Sequence, residues 1–250
     1  MALKRFLIAA LAAVLLTALP SDGSASAVDD ERLATAAVVL AEMTTASDSG
    51  IPQSLLARAR CVVVVPGVRR LAFGVGGQYG RGYIACRKGD GQWSAPGGIR
   101  VEGGSIGFQI GGSETDLILL VLNDRGVDRL LSSRFTVGAE ASVAAGPVGR
   151  NAAAQTDATM MAEILAWSRA RGVFAGISLQ GSTLREDNGE NRDLYGREIR
   201  NREIVTGDIE PPAAAAGLMA AIEKAAAAAE AAEAAEEAGD EDAAADTDAE

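Results

Sequence analysis

The feature that most constrains the fold is a stretch of 39 residues, 74–112, of which 14 are glycine. Glycine inside a regular element is destabilising by about 0.5–1 kcal/mol relative to alanine, so a helix is a poor solution here. Apolar residues alternate between the glycines, as at Ile106, Phe108 and Ile110, and this spacing is typical of a strand with one buried face. Glycine in strands marks bends, bulges and close approaches. We therefore predict several short, strongly bent antiparallel strands that form a curved, barrel-like sheet.

A few helices are expected to pack on this sheet, which makes the fold class α+β in a single domain. Residues 29–45 carry apolar residues at helical spacing and begin with three acids, which the helix dipole favours. The polar face of this segment is poor in lysine and arginine, so we expect it to dock on the core and not to lie in a membrane. Pro52 suits the first turn of a short helix over 52–60, and Asn123 is expected to cap a later helix.

Other segments predict strands. Residues 62–65 are all valine, which favours a buried strand, and Pro66 is expected to end it. The segment 88–91 predicts a turn between strands. Residues 115–122 are almost continuously apolar, which indicates a strand covered on both faces, and 135–150 has a strand-like pattern rich in small residues.

Two segments are harder to assign. Residues 157–172 contain good helix formers, but their second half can also pair with the strand that follows Gly172 as a hairpin. We favour the hairpin because the second arm is plainly a strand. The polar segment 184–209 is expected to close the domain as a loop and a final short segment.

Residues 1–27 resemble a secretory signal. Lys4 and Arg5 precede an apolar run of 14 residues, 6–19, and small residues lead to a cleavage point after Ala27. An uncleaved anchor is the alternative, although a spanning helix needs about 20 apolar residues. The mature protein is expected to be periplasmic or secreted and peripheral to a membrane.

The charge divides the remaining chain into two parts. Residues 28–207 contain 20 acids and 20 basic residues, whereas 208–250 contains 13 acids and one lysine. The first part is long enough for one domain, and its balanced charge gives no indication of nucleic-acid binding. The second part is an alanine- and glutamate-rich tail, expected to be a solvated helix over 213–238 and disordered beyond Gly239. It either keeps the protein soluble or binds a basic protein partner.

Cys61 and Cys86 are the only cysteines in the sequence. An exported chain meets an oxidising compartment, which favours a disulfide between them, and two buried free thiols are the alternative. Two cysteines without a histidine anywhere in the sequence make a zinc site improbable.

The sequence gives no support to an enzyme. Without histidine there is no Ser-His-Asp or Cys-His arrangement and no imidazole base. The phosphate-binding G-x-x-x-x-G-K-[ST] pattern is absent, and the glycines over 74–82 do not have the dinucleotide-binding spacing. We expect a protein without catalytic residues and without a cofactor or metal.

The sequence instead predicts a binding site, because aromatic rings and guanidinium groups lie near glycine-bearing turns, and this combination suits phosphate or carboxylate groups. For each residue the alternative is ordinary packing or a surface ion pair. The candidates for a lipid head group are Arg58, Arg60, Tyr79, Arg81, Trp93, Arg150, Arg169 and Arg171.

Several motifs in order resemble the SYLF family. They are Ile51-Pro52, Val65-Pro66, GGQYGRG over 76–82, WSAP over 93–96, GGSIGFQIG over 103–111, TDLILLVLN over 115–123, SVAAGPVGR over 142–150, SRARGVFAGISLQG over 168–181 and Leu194-Tyr195-Gly196. The similarity runs from about Leu33 to Gly196 and leaves out the signal and the tail.

The resemblance implies a lipid-binding domain whose partner is an anionic phospholipid surface. Eukaryotic members bind phosphoinositides, fungal members also bind actin, and an N-terminal amphipathic helix contributes to membrane contact in eukaryotic members. No catalytic residue comes with the family. An envelope scaffold that acts through a sheet edge or the acidic tail is the alternative function.

Overall fold

A computed structural model describes residues 23–46, 50–132, 135–136, 143–147, 162–170, 173–174 and 182–247 of the chain. The α-helices in these residues are α1 (Gly23–Thr45), α2 (Gln53–Ala57), α3 (Asp124–Leu130), α4 (Asn188–Tyr195), α5 (Asn201–Thr206) and α6 (Ala216–Thr247). The strands are β1 (Cys61–Cys86), β2 (Gly97–Val121), β3 (Phe135–Thr136), β4 (Val143–Ala145), β5 (Ile164–Ala170), β6 (Val173–Phe174) and β7 (Ser182–Glu186).

These strands form one curled sheet with the order β3-β7-β2-β5-β4, in which β1 also pairs with β2 and β6 pairs with β5. All pairs are antiparallel except β4 with β5, which is parallel. The prediction of a single α+β domain with a curved sheet is confirmed. The sheet is mixed and not wholly antiparallel.

The glycine-rich region does not form several short strands, as predicted, but two long ones. β1 has 26 residues and β2 has 25, and they pair along their length as a two-stranded ribbon. Register shifts interrupt the ribbon between Val65 and Val68 and between Phe73 and Val75. The predicted strand end at Pro66 is wrong because Pro66 lies in the first of these irregularities, where Gly67 takes a φ of 59° and no regular ladder bond is needed.

The ribbon bends back so that the two ends of β1 meet. The Cys61–Cys86 disulfide joins them, and the Arg87 amide donates a hydrogen bond of 2.7 Å to the Arg60 carbonyl. Gly82 permits the close approach, because a Cβ at this position would clash with the Val64 carbonyl. The predicted disulfide is therefore confirmed.

Alternate residues of the strands supply two hydrophobic clusters, one on each face of the sheet. On β2, Leu117 and Leu119 belong to one cluster, and Ile118 and Leu120 belong to the other. The second cluster also contains residues of α1, α2 and α6, which cover that face. This arrangement confirms the prediction that 115–122 is a strand buried on both faces.

Helices α1 and α6 pack together on the sheet. Leu33, Leu40 and Met43 of α1 are buried, as predicted for a helix docked on the core. The tail differs from its prediction, because Leu218 and Ile222 of α6 are buried in the same cluster. The first part of the tail is thus core and not a solvated helix, and the helical backbone continues to Thr247.

The remaining expectations have mixed outcomes. β5 and β6 pair as the favoured hairpin, and Asn123 caps α3 by accepting a hydrogen bond from the Gly126 amide, as predicted. The helix expected over 52–60 ends at Ala57. The loop expected over 184–209 contains the end of β7 and helices α4 and α5. The segments 137–142, 148–161 and 171–172 lie outside the described residues.

Candidate functional site

Several residues at the bend of the β1–β2 ribbon are exposed. We call residues 69–77 of β1 and 104–114 of β2, which pair with one another, the ribbon tip. Leu71 is 71% exposed there, and Gly77, Gly104 and Gly112 are exposed as well. A large apolar side chain this exposed is unusual on a strand of which residues 61–65 and Val68 are buried.

Three arginines line a cavity together with this exposed leucine. A cavity of about 730 Å³ beside the ribbon tip is lined by Arg69, Arg70, Leu71 and Arg169, together with Glu114 and Asp116. The Arg69 side chain is 77% exposed, and its Nε lies 3.9 Å from Glu114, which is also exposed. An exposed pair at this distance contributes little to stability, so Arg69 is available to another anion.

Arg169 is held more firmly than Arg69. Its guanidinium lies 2.6 Å from Glu42 of α1 and 3.1 Å from Asp116 of β2. Burial disfavours the charged form, but the hydrogen bonds to both carboxylates outweigh burial and raise the pKa of Arg169 above its ordinary value. Arg169 therefore stays charged and ties α1 to the base of the ribbon tip.

Arg81, a predicted head-group candidate, is half-buried and engaged by a cluster of buried carboxylates. Its guanidinium lies 2.6 Å from Asp187 and 3.0 Å from Glu190. Arg32 of α1 binds the same Glu190 at 2.6 Å, and the Tyr83 hydroxyl donates a hydrogen bond to it. This cluster fastens α1 and α4 to the sheet, so Arg81 has a structural role.

The pKa values of the cluster follow from its burial. Loss of water raises the pKa of Glu190 above its usual value, although Tyr83 and Arg32 act in the opposite direction. Desolvation also acts to raise the pKa of Asp187, but the hydrogen bond from Arg81 outweighs it and the net shift is downward. Burial raises the pKa of Tyr83, with Glu190 adding to the effect.

The other predicted candidates are scattered. Arg60 pairs with Asp124 at 2.8 Å, and the exposed Arg58 makes no ion pair with any residue that the structure describes. Trp93 is partly buried, with the Arg87 guanidinium 5.1 Å from the centre of its ring. Tyr79 is 49% exposed, not buried, and lies just beyond the ribbon tip on β1. Arg150 and Arg171 lie outside the described residues.

Arg69, Arg70 and Leu71 were not among the residues predicted from the sequence. The available signal was two adjacent arginines followed by leucine inside a strand-like segment, next to the glycine-rich stretch. The residues that follow Leu71 in β1 include the apolar Phe73 and Val75. In the register of the ribbon, Phe73 pairs with Ile110 and Val75 pairs with Ile106. Only the bend of the ribbon brings Arg69, Arg70 and Leu71 to one end of the sheet, where they line a cavity together with Arg169.

Some motifs that suggested the family have a structural role. The Tyr195 hydroxyl donates a hydrogen bond of 2.7 Å to the Pro96 carbonyl, which joins the Leu194-Tyr195-Gly196 and WSAP motifs. Asn191 accepts a hydrogen bond of 2.6 Å from the Gly98 amide. These contacts hold α4 against the start of β2. Among the described residues, no helix has the length and apolar character needed to cross a membrane.

Comparison with known proteins agrees with the motifs. The Ysc84 family model, described as Las17-binding protein actin regulator, matches residues 102–225. An SH3 domain-containing protein of Schizosaccharomyces pombe is 37% identical over 175 residues, which cover 69% of this chain and 40% of that protein. The SH3 domain-containing YSC84-like protein 1 of Rattus norvegicus is 36% identical over 189 residues, covering 73% of this chain and 55% of the relative.

A relative from Saccharomyces cerevisiae also matches most of this chain. LAS seventeen-binding protein 3 of Saccharomyces cerevisiae is 35% identical over 184 residues, covering 72% of this chain and 40% of the relative. The chain thus spans about half the length of the curated relatives that it matches. The family match and these identities, which extend over most of the described fold, show that the chain belongs to the Ysc84/SYLF family.

Proposed function

We propose that this domain is a non-catalytic module of an exported protein, and that it binds membrane surfaces rich in acidic phospholipid through the ribbon tip. The observation that carries the proposal is the exposed Leu71 directly after Arg69 and Arg70 at the bend of the ribbon. Basic residues near an anionic surface gain electrostatic attraction, and an adjacent apolar side chain gains by entering the interface. The phosphate-binding chemistry of arginine suits the head group.

The position of α1 supports this choice of surface. Its apolar face is buried against the sheet and α6, so that face is not available to a membrane. Its exposed side carries acids such as Glu31 and Glu42, which an anionic surface repels. In this chain the ribbon tip combines the exposed cation of Arg69 with an exposed leucine, and α1 does not.

Co-sedimentation with vesicles tests the proposal. Purified protein is mixed with neutral phosphatidylcholine vesicles or with vesicles containing anionic lipid, at low and at physiological salt. We expect binding to the anionic vesicles alone, and weaker binding at the higher salt because the Debye length shortens to about 8 Å. The double variant Arg69→Glu/Arg70→Glu should bind at least tenfold more weakly.

The matched control is Arg192→Glu/Arg197→Glu, which makes the same change of charge at exposed positions on and just after α4. It should retain most of the binding of the unchanged protein. Equal loss of vesicle binding in both double variants would mean that binding depends only on the net charge of the protein. Unchanged binding by Arg69→Glu/Arg70→Glu would rule out the ribbon tip.

A protein partner is the second candidate function. The names of the family model and of the yeast relative refer to binding of Las17, a protein. In this chain the corresponding proposal is a scaffold that binds a protein through a sheet edge or the acidic part of α6. Recovery of the same partners after deletion of residues 231–250 would eliminate the α6 version.

A further inference from the structure

A second cavity lies at the end of the sheet opposite the ribbon tip. It has a volume of about 280 Å³ and is lined by the Cys61–Cys86 disulfide and by residues of α3 and α5. Residues 61–68 of β1 separate it from the ribbon tip, a length of up to about 26 Å in an extended strand. We call it the disulfide-end cavity. Ligand sites are often found at such a position, at the mouth of a curled sheet.

The lining of the cavity has an excess of positive charge. Arg60, Arg87, Lys88 and Arg202 contribute four cations, and Asp124 and Asp128 contribute two anions. The lining therefore carries a formal charge of +2. A phosphate monoester carries about −1.5 to −2 at neutral pH and matches this charge.

Two carboxylates from the C-terminal part of the chain balance the excess. Asp208 lies 3.4 Å from Lys88, and Glu230 of α6 lies 2.6 Å from Arg87. The Asp208 side chain is fully exposed and that of Glu230 is 55% exposed, so water or another anion can replace either of them. Neither carboxylate belongs to the lining of the cavity.

Arg87 retains donors that the described residues do not use. Its Nε and Nη2 are buried and have no hydrogen-bond partner within the described part of the chain. Only Nη1 is engaged, by Glu230. Buried donors favour a partner, and an oxyanion that draws this guanidinium toward the cavity would supply one.

Part of the lining is apolar. Val127, Leu131 and Val205 stand beside the disulfide on the side that α3 and α5 provide. A bare inorganic anion would leave these side chains without contact. A small organic molecule, in which a phosphate is attached to a short carbon skeleton, would use both parts of the lining.

We propose that the disulfide-end cavity binds a small phosphate monoester through Arg60, Arg87, Lys88 and Arg202, and that Asp208 and Glu230 occupy two of these cations when the ligand is absent. This site is separate from the ribbon tip. It gives the protein a soluble ligand in addition to the membrane surface.

The test is a titration of the purified protein with glycerol 3-phosphate, with glycerol as the uncharged control. Tryptophan fluorescence reports on Trp93 beside Arg87, and backbone amide shifts of Lys88 and Thr206 report on the cavity. We expect a saturable response to glycerol 3-phosphate and none to glycerol. Lys88→Gln/Arg202→Gln should weaken binding at least tenfold, and Arg192→Gln/Arg197→Gln should leave it unchanged.

The double variant Asp208→Asn/Glu230→Gln tests whether these two carboxylates compete with the ligand or only stabilise the fold. Removal of the competing carboxylates should tighten binding several-fold. Absence of a saturable response in the unchanged protein, or equal affinity in Lys88→Gln/Arg202→Gln, would overturn the proposal.

Vesicles containing phosphatidic acid distinguish a free phosphate monoester from a lipid head group. If the ligand is free, Lys88→Gln/Arg202→Gln loses glycerol 3-phosphate and keeps vesicle binding. If the phosphate monoester is instead the head group of a lipid, the variant loses both glycerol 3-phosphate binding and vesicle binding. Arg69→Glu/Arg70→Glu should retain glycerol 3-phosphate binding in either case. If membrane binding by the ribbon tip is disproved, phosphate binding by the disulfide-end cavity is therefore still tested separately.

Discussion

At the scale of single residues, the buried charge cluster determines how α1 and α4 attach to the sheet. The Glu190 side chain is 1% exposed and shares Arg32 and Arg81, one from a helix and one from β1. Removing one partner of a buried ion pair leaves the other charge without compensation, which is destabilising by about 3–5 kcal/mol. Substitutions in this cluster should therefore lower the free energy of unfolding by more than substitutions in surface ion pairs.

Asp187→Asn tests this expectation. Asparagine keeps an oxygen that can accept the hydrogen bond of the Glu190 amide, but it removes the charge that faces Arg81. We expect the free energy of unfolding at pH 7 to fall by about 2–4 kcal/mol. Asp193→Asn on the exposed side of the same helix should change it by less than about 0.5 kcal/mol. Urea denaturation of both variants measures the difference.

The pH dependence of the same variant gives a second check. The folded-state pKa of Asp187 is lowered, so its carboxylate stabilises the fold above its ordinary pKa of about 3.9. That contribution disappears as the pH falls through the folded-state pKa. Glu190 acts in the opposite direction, because its raised pKa makes protonation favour the folded state. Between pH 5 and 3 the unchanged protein should lose more stability than Asp187→Asn, and parallel curves would contradict this assignment.

At the scale of elements, α6 shows that composition does not distinguish a buried helix from a solvated one when both are mostly alanine. Leu218, Met219 and Ile222 are buried, and small alanines such as Ala225 and Ala229 continue that face. The spacing of the three large residues was the available signal in the sequence. The acidic content of the whole tail concealed it.

A substitution on α6 tests this role. Ile222→Ala should lower the free energy of unfolding by about 2–5 kcal/mol, because it removes buried methylene groups and leaves a cavity. The neighbouring Glu223 is exposed, and Glu223→Ala should have almost no effect. Thermal unfolding monitored by circular dichroism compares the two. Equal melting temperatures would mean that α6 is not part of the core.

At the scale of the whole molecule, the two ends of the sheet have different compositions. The ribbon tip has an exposed arginine and an exposed leucine, and the disulfide-end cavity has a cationic lining beside a disulfide. A protein bound to a membrane by the ribbon tip would therefore direct its disulfide end away from the bilayer. This orientation leaves the second cavity open to soluble ligands.

The disulfide is expected to stabilise the fold as a whole. It closes a loop with a sequence separation of 25, for which the loop-entropy estimate is about 3.5 kcal/mol. Cys61→Ala/Cys86→Ala should lower the free energy of unfolding by about 2–4 kcal/mol, and reduction of the unchanged protein should have a similar effect. Denaturation curves with and without dithiothreitol measure both. Dithiothreitol should not shift the curve of the variant, which has no cysteine, and an unshifted curve for the reduced unchanged protein would mean that the bond does not stabilise the fold.

The sequence by itself determined the α+β class, the helix over 29–45, the strand over 115–122 and the cysteine pair, because periodicity and residue chemistry act locally. The motifs were sufficient for the family. Tertiary structure decided which arginines face solvent, because Arg81 is half-buried and paired with Glu190 whereas Arg69 is exposed on a bend, and nothing local distinguishes them. It also decided that two long strands, and not several short ones, fill the glycine-rich region. The physical reason is that glycines such as Gly82 allow one ribbon to fold back on itself, and a contact between residues far apart in the chain leaves no periodic signal.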